Sequence, residues 1–143
     1  MKLISKSALL ILAIAVLYLL ISGNLFSAHP LIITGQIFAV ALSIWARKSF
    51  IGGQFSIHAK PVERSLILTG PYKYIRHPMY AAALLFIWSS ILGHIAIVTV
   101  IIGLVVSCII IVRIVVEDQF LHAFYPGYSD YADKTKRIIP LII

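Results

Sequence analysis

Two groups of polar side chains interrupt an otherwise apolar sequence, and their residue types suit two different kinds of partner. The first is the run Gly70-Pro71-Tyr72-Lys73-Tyr74-Ile75-Arg76-His77-Pro78-Met79-Tyr80. Gly70-Pro71 is a turn signal, and Pro78 suits the first turn of a helix, where a missing N–H costs nothing. Arg76 and His77 therefore fall at the start of a helix, where free N–H groups and partial positive charge favour a carboxylate or phosphate. Arg76 adds a fork of donors to the same place. The plainer alternative makes Arg76 and His77 headgroup anchors, with Tyr72, Tyr74 and Tyr80 as an aromatic belt. The second group is Glu117-Asp118, which follows a long apolar run. Carboxylates at a helix C-terminus oppose the macrodipole and need compensation. Arg113, one turn earlier, is placed to pair with Glu117, and a ligand ammonium or ribose hydroxyls suit carboxylate acceptors equally. A solvated helix end held by an Arg113–Glu117 pair is the plainer reading of this second group.

The elements that must position these groups are membrane helices. Hydrophobic residues make up 61% of the 143 and charged residues 12%. That is more apolar surface than one soluble core of this length can hide. The expected fold is all-α, a polytopic integral membrane protein forming one domain over residues 1–143. Four spans are expected, at about 7–26, 30–46, 79–92 and 95–116, with Gly93-His94 as the turn between the last two. The third is short and suits partial packing on protein. Loop 47–78 and tail 117–143 flank the spans. Glu117 to Phe124 should continue the fourth helix, and Tyr128 to Lys136 should form an interfacial helix with Tyr128 and Tyr131 at headgroup depth.

The net charge of +7 is unevenly spread. Lys2 and Lys6, then Arg47, Lys48, Lys60, Arg64, Lys73 and Arg76, then Lys134, Lys136 and Arg137 carry it, while the turns at 22–29 and 93–94 carry no Lys or Arg. The positive-inside rule puts both termini, the middle loop and the active site in the cytoplasm, which in a bacterium means the plasma membrane. Basic stretches tethered beside spans suit anionic membrane lipids rather than nucleic acid. The first run resembles a signal peptide in outline, but Phe26 stands where a cleavage site after Ala28 wants a small residue, so a retained anchor is expected. Cys108 is the sole cysteine, which excludes an intramolecular disulfide and a cysteine metal site. His29, His58, His94 and His122 show no metal spacing, Gly52-Gly53 lacks a dinucleotide-loop context, and Asp118 and His122 are spaced to pair on one helical face.

Taken together, the R-H-P-x-Y core at Arg76 to Tyr80, the apolar hairpin, the acidic pair with Leu121 downstream, the G-Y-x-x-Y at Gly127 to Tyr131 and the basic stretch ending at Pro140 resemble the isoprenylcysteine carboxyl methyltransferase family. The wider group of membrane methyltransferases, which includes phospholipid N-methyltransferases, is similar in architecture. The resemblance spans roughly Phe55 to Pro140. It implies a methyltransferase that uses S-adenosyl-L-methionine on a lipid-like or prenylated acceptor, with carboxyl O-methylation as one form. By the same resemblance Tyr72, His77, Pro78, Tyr80, Glu117, Asp118 and Leu121 are candidate cofactor-binding residues, and Arg76, Arg113 and Glu117 candidate catalytic residues, with no metal. Two departures stand out. Many relatives carry two glutamates where this chain has Glu117-Asp118, and a glycine where it has Ala82. An NADPH-dependent membrane reductase of the sterol type shares part of the architecture, and a small non-enzymatic membrane protein shares its composition. No motif specifies an oligomeric state.

Overall fold

A computed structural model describes the backbone of residues 2–50 and 66–139, with side chains from residue 8 onward in the first helix. Lys60, Arg64, His58, Gly52-Gly53 and Pro140 lie outside the described residues. The chain is helical, as composition requires. The order is α1 (Lys2–Ile21), α2 (Pro30–Lys48), a short 3-10 turn (Gly70–Lys73), α3 (Pro78–Gly93), α4 (Ile97–Phe124) and α5 (Tyr128–Lys134). No strand occurs among the described residues, only one isolated parallel bridge between Ile75 and Lys136.

Helix ends follow local chemistry. Pro30 and Pro78 occupy the first helical turns of α2 and α3, where proline loses no hydrogen bond. The first helix stops at Ile21, five residues short of the expected Phe26. Gly23 is left-handed (φ 72°), and the Gly23 and Asn24 amides donate back to the Leu20 and Leu19 carbonyls at 3.1 and 2.8 Å. This closure, at Ser22-Gly23-Asn24, ends the helix before the apolar Leu25 and Phe26. Thr99 opens α4: its hydroxyl accepts from the Ala96 amide at 3.0 Å and meets the His94 and Ala96 carbonyls. The expected continuation of α4 through Phe124 is present.

Among the described residues two helices, α2 and α4, are long and apolar enough to cross a membrane, fewer than the four expected. For α3 the reason is length. α3 has 16 residues, about 24 Å at 1.5 Å per residue, against a hydrocarbon core of about 30 Å. α1 runs 20 residues, Lys2–Ile21, and Ala8–Ile21 is the part of it whose side chains are described. The outward faces of α1, α2 and α4 are strongly apolar, with Leu10, Ile21, Leu31, Phe38 and Ile97 all well exposed.

α3 is the central element. It packs along α2 on one side and against α4 on the other, and α4 also carries α1. One buried cluster joins Ala15 of α1 to Val106, Ile110 and Ile114 of α4, with Tyr80 of α3 against it. A second joins Leu19 and Leu25 to Ile87 and Ile91. Gln36, buried in α2, donates to the Leu25 carbonyl at 2.7 Å and to the Ser90 hydroxyl at 3.1 Å, tying the 22–29 turn to α3. A polar side chain inside a membrane bundle is stabilising only when satisfied in this way.

The 3-10 turn that leads into α3 depends on Gly70. Its φ is +60°, and a Cβ there would run into the Ser49 hydroxyl at the end of α2. Gly70→Ala is therefore expected to lower the unfolding midpoint in detergent. The left-handed backbone alone costs about 1–2 kcal/mol, and displacement of Ser49 adds to it. An unchanged midpoint in a thermal melt would contradict this placement.

Candidate functional site

The two polar groups singled out in the sequence meet at one end of the bundle, where the start of α3 faces the last turns of α4. Their contacts divide in two, because Glu117 and Asp118 are neighbours in sequence and point to different faces of α4.

Asp118 faces the start of α3 and the C-terminal segment. His77 Nε2 lies 2.8 Å from its Oδ1, the Tyr128 hydroxyl donates to the same oxygen at 2.6 Å, and Arg137 Nε donates to Oδ2 at 2.9 Å. Arg76 Nε stands 3.9 Å from Oδ1. The Asp118 side chain is 7% exposed and that of His77 3%. Burial pushes the Asp118 carboxyl up, but the hydrogen bonds from His77, Tyr128 and Arg137 outweigh it and hold the group well below the usual carboxylate range. A carboxylate with both oxygens occupied by donors is an anion already balanced.

The backbone repeats the same attachment. The Arg76 and His77 amides donate to the Lys136 and Arg137 carbonyls at 2.7 and 3.0 Å, and the Lys136 amide returns to the Tyr74 carbonyl at 3.1 Å. Arg76 Nη1 donates to the Ala132 carbonyl and, at 2.9 Å, to the Thr135 carbonyl. A cation on the last carbonyls of α5 is the arrangement its dipole favours. The segment from Tyr128 to Arg137 is thus strapped across the entry to α3, and Tyr128 is buried against protein, 1% exposed.

Glu117 faces the other group. The Tyr80 hydroxyl donates to its Oε2 at 2.7 Å, and the Arg113 guanidinium lies over the Tyr80 ring, 5.4 Å from the centroid, a cation–π geometry. The Tyr80 ring also stacks on His77, centroids 5.6 Å apart. Two carboxylate pairs, Asp118–His77 and Glu117–Tyr80, therefore lie side by side with their rings in contact. Leu121, partly buried, follows Glu117 by one turn. Below the cluster, an apolar cavity of about 40 Å³ is lined by Leu9 and Leu12 of α1 and Val106, Ile109 and Ile110 of α4, with Tyr80 and Arg113 at its polar limit.

Tyr72 completes the wall. Burial raises its hydroxyl pKa and the nearby Glu117 charge raises it further. Its backbone carbonyl accepts from the Tyr131 hydroxyl at 2.8 Å. Burial pushes Tyr131 itself up to about 12, against the pull of Arg76, so it is a neutral donor at physiological pH. Pro78, buried, fixes the start of α3. His122 bonds to Ser129 at 3.3 Å and meets the edge of the Tyr128 ring, so it supports α5 rather than pairing with Asp118 as its spacing had suggested.

Tyr128, Tyr131 and Arg137 stand outside the set singled out for chemistry, although all three touch it. Gly127-Tyr128 and Tyr131 are part of the motif on which the resemblance rests, so the signal was present in the sequence. Their aromatic and basic character matches that of interfacial residues, which is why they read as headgroup anchors.

The arrangement offers one enclosed carboxylate that organises the backbone and a second carboxylate flanked by tyrosines, an arginine and a small apolar cavity. The second suits an ammonium, a sulfonium or ribose hydroxyls beside hydrocarbon. Comparison with known proteins agrees in class. No curated protein and no solved structure matches the chain. The family model described as phospholipid methyltransferase matches residues 23–127, a stretch that holds α2 to α4, the R-H-P-x-Y core and the acidic pair. With that match covering well over half of its length, the chain belongs to the phospholipid methyltransferase family.

Proposed function

We propose that this protein transfers a methyl group from S-adenosylmethionine to the polar head of a lipid-like acceptor at the cytoplasmic membrane surface. The observation that carries this reading is the Tyr80–Glu117 pair with Arg113 over the Tyr80 ring, beside a small apolar cavity that Tyr80 and Arg113 line. Methyl transfer from a sulfonium is a direct displacement. It needs an in-line nucleophile at about 3–3.5 Å and little water, but no covalent nucleophile. Glu117 supplies an acceptor for the cofactor's ammonium or ribose, and the Tyr80 and Tyr72 rings suit its sulfonium or adenine. Pro78 and Leu121 shape the apolar boundary, and Arg76 and His77 hold the entry of α3 in place. A carboxylate acceptor, as in isoprenylcysteine methylation, arrives as a competent nucleophile oriented by Arg113. An amine acceptor gives up its proton to Glu117 before attack.

The same reading places four helices in the bilayer, with α1 and α3 completing the bundle around α2 and α4 and with both termini cytoplasmic. The exposed leucines and isoleucines of α1, α2 and α4 support it, since patches of that extent suit lipid. Calorimetric titration in detergent tests the cofactor directly. S-adenosylhomocysteine is expected to bind in the micromolar range and NADPH not at all; the reverse outcome would make the protein a reductase. The acceptor's tail is expected to matter as well. A lipidated acceptor should be methylated far more efficiently than its tail-less headgroup, and equal rates in a radiolabel transfer assay would remove the lipid from the proposal.

A further inference from the structure

Asp118 has the same chemistry as Glu117 and sits beside it, yet its surroundings are those of a strut. Three side chains from three parts of the chain donate to it at 2.6 to 2.9 Å: His77 before α3, Tyr128 at the start of α5 and Arg137 beyond α5. Arg76 adds its charge at 3.9 Å. Both oxygens are occupied and the side chain is enclosed, so a cofactor would have to displace a donor to reach it. Two of the donors, Tyr128 and Arg137, also lie beyond residue 127, where the family match ends.

We infer that Asp118 is a positioning residue rather than a ligand: it fastens the segment Tyr128–Arg137 across the start of α3 and thereby sets the tyrosines that surround Glu117. The route is continuous. Asp118 holds Tyr128 and Arg137. The segment between them carries Tyr131, whose hydroxyl fixes the Tyr72 carbonyl. On the other side Asp118 holds His77, whose ring stacks on Tyr80, and Tyr80 donates to Glu117. The two neighbouring carboxylates divide the work, with Glu117 toward the ligand and Asp118 toward the scaffold. The shorter side chain at the second position suits this division, because Asp118 reaches donors packed directly against α4 and needs no further reach into a cleft. The inference rests on the methyltransferase reading for its effect on cofactor binding, but the fastening itself does not.

The full-length protein in detergent, with Asp118→Asn, Arg137→Ala, Arg137→Lys and Glu117→Gln, separates the two carboxylates by two readouts. One is the rate of tryptic cleavage after Lys134 and Lys136, followed by mass spectrometry. The other is the dissociation constant of S-adenosylhomocysteine. Asp118→Asn and Arg137→Ala are each expected to speed cleavage and to weaken binding roughly tenfold, the worth of one charge-assisted hydrogen bond. Together they should do little more than either alone, because they break one link. Arg137→Lys should recover most of both. Glu117→Gln should weaken binding and leave cleavage at the wild-type rate. If Asp118→Asn weakens binding while Arg137→Ala changes neither readout, Asp118 is a ligand and the inference falls. If cleavage is unaffected by Asp118→Asn, the fastening is wrong. Absence of binding by the wild-type protein would remove the methyltransferase reading, and the cleavage rates would still decide whether Asp118 holds the segment.

Discussion

Glu117→Gln is expected to weaken S-adenosylhomocysteine binding by about ten- to a hundredfold while leaving the melting temperature nearly unchanged. Hydrogen bonds to a charged group are worth about 1.5–3 kcal/mol, and about 1.4 kcal/mol is a factor of ten in affinity. The glutamine keeps an oxygen to accept from the Tyr80 hydroxyl, so the 2.7 Å contact and the ring stack on His77 survive. What it loses is the negative charge that a sulfonium or ammonium would meet. An amine acceptor would add a second loss. Removal of a general base costs about 10²–10⁴-fold in turnover, whereas a carboxylate acceptor needs no base and would lose only the binding term. Turnover at saturating cofactor therefore distinguishes the two acceptor chemistries with one variant. Titration calorimetry and a radiolabel transfer assay at matched cofactor saturation would measure both terms. Unchanged affinity and unchanged turnover would mean that Glu117 serves only as the partner of Tyr80.

Much of this architecture was legible because each signal is local. Pro30 and Pro78 mark helix starts, Gly93-His94 marks the α3–α4 turn, and the polar residues that follow Val116 continue α4 as expected. The proximity of the two polar groups was legible too, since the R-H-P-x-Y core opens α3 and the acidic pair lies near the end of α4, the helix that runs back beside it. Hydropathy failed where backbone geometry overrides it. Leu25 and Phe26 are as apolar as the helix before them, yet the left-handed Gly23 has already ended it. The shortness of α3, by contrast, was legible, because the apolar run between Pro78 and Gly93 is only 16 residues long. A second limit concerns partners distant in sequence. Asp118 and Glu117 look alike on paper, and only folding brings Arg137 and His77 to one of them and Tyr80 to the other. Tyr128 illustrates the converse. A tyrosine near basic residues has the composition of a headgroup anchor, and its burial against Asp118 depends on a turn at Pro126-Gly127 that sends α5 back toward α3.

Asp118→Ala is expected to be among the most destabilising single substitutions in the chain and to flatten the protein's response to acid. Deleting the carboxylate leaves the His77, Tyr128 and Arg137 donors facing one another without an acceptor, beside the Arg76 charge. Leaving a buried donor such as that of His77 or Tyr128 unsatisfied costs about 1–3 kcal/mol each, whereas the half-exposed Arg137 recovers water. The acid response follows from the same contacts. Asp118 is held well below the ordinary carboxylate value of about 3.9 by donors that face it from the α3 entry, from α5 and from the segment beyond it. Between the folded and unfolded values the unfolded chain binds the extra proton, so stability falls as pH falls. The contribution is fully present above about pH 5 and is lost progressively below about pH 4, as the pH approaches the folded value. Thermal melts in detergent from pH 7 to pH 3 should therefore show a wild-type midpoint that declines through the acid range. The Asp118→Ala protein should start lower at pH 7 and decline less. Parallel curves for the two proteins would show that the acid response belongs to other carboxylates. A wild-type-like midpoint for Asp118→Ala at pH 7 would show that the four-sided contact around Asp118 contributes little to holding the C-terminal segment in place.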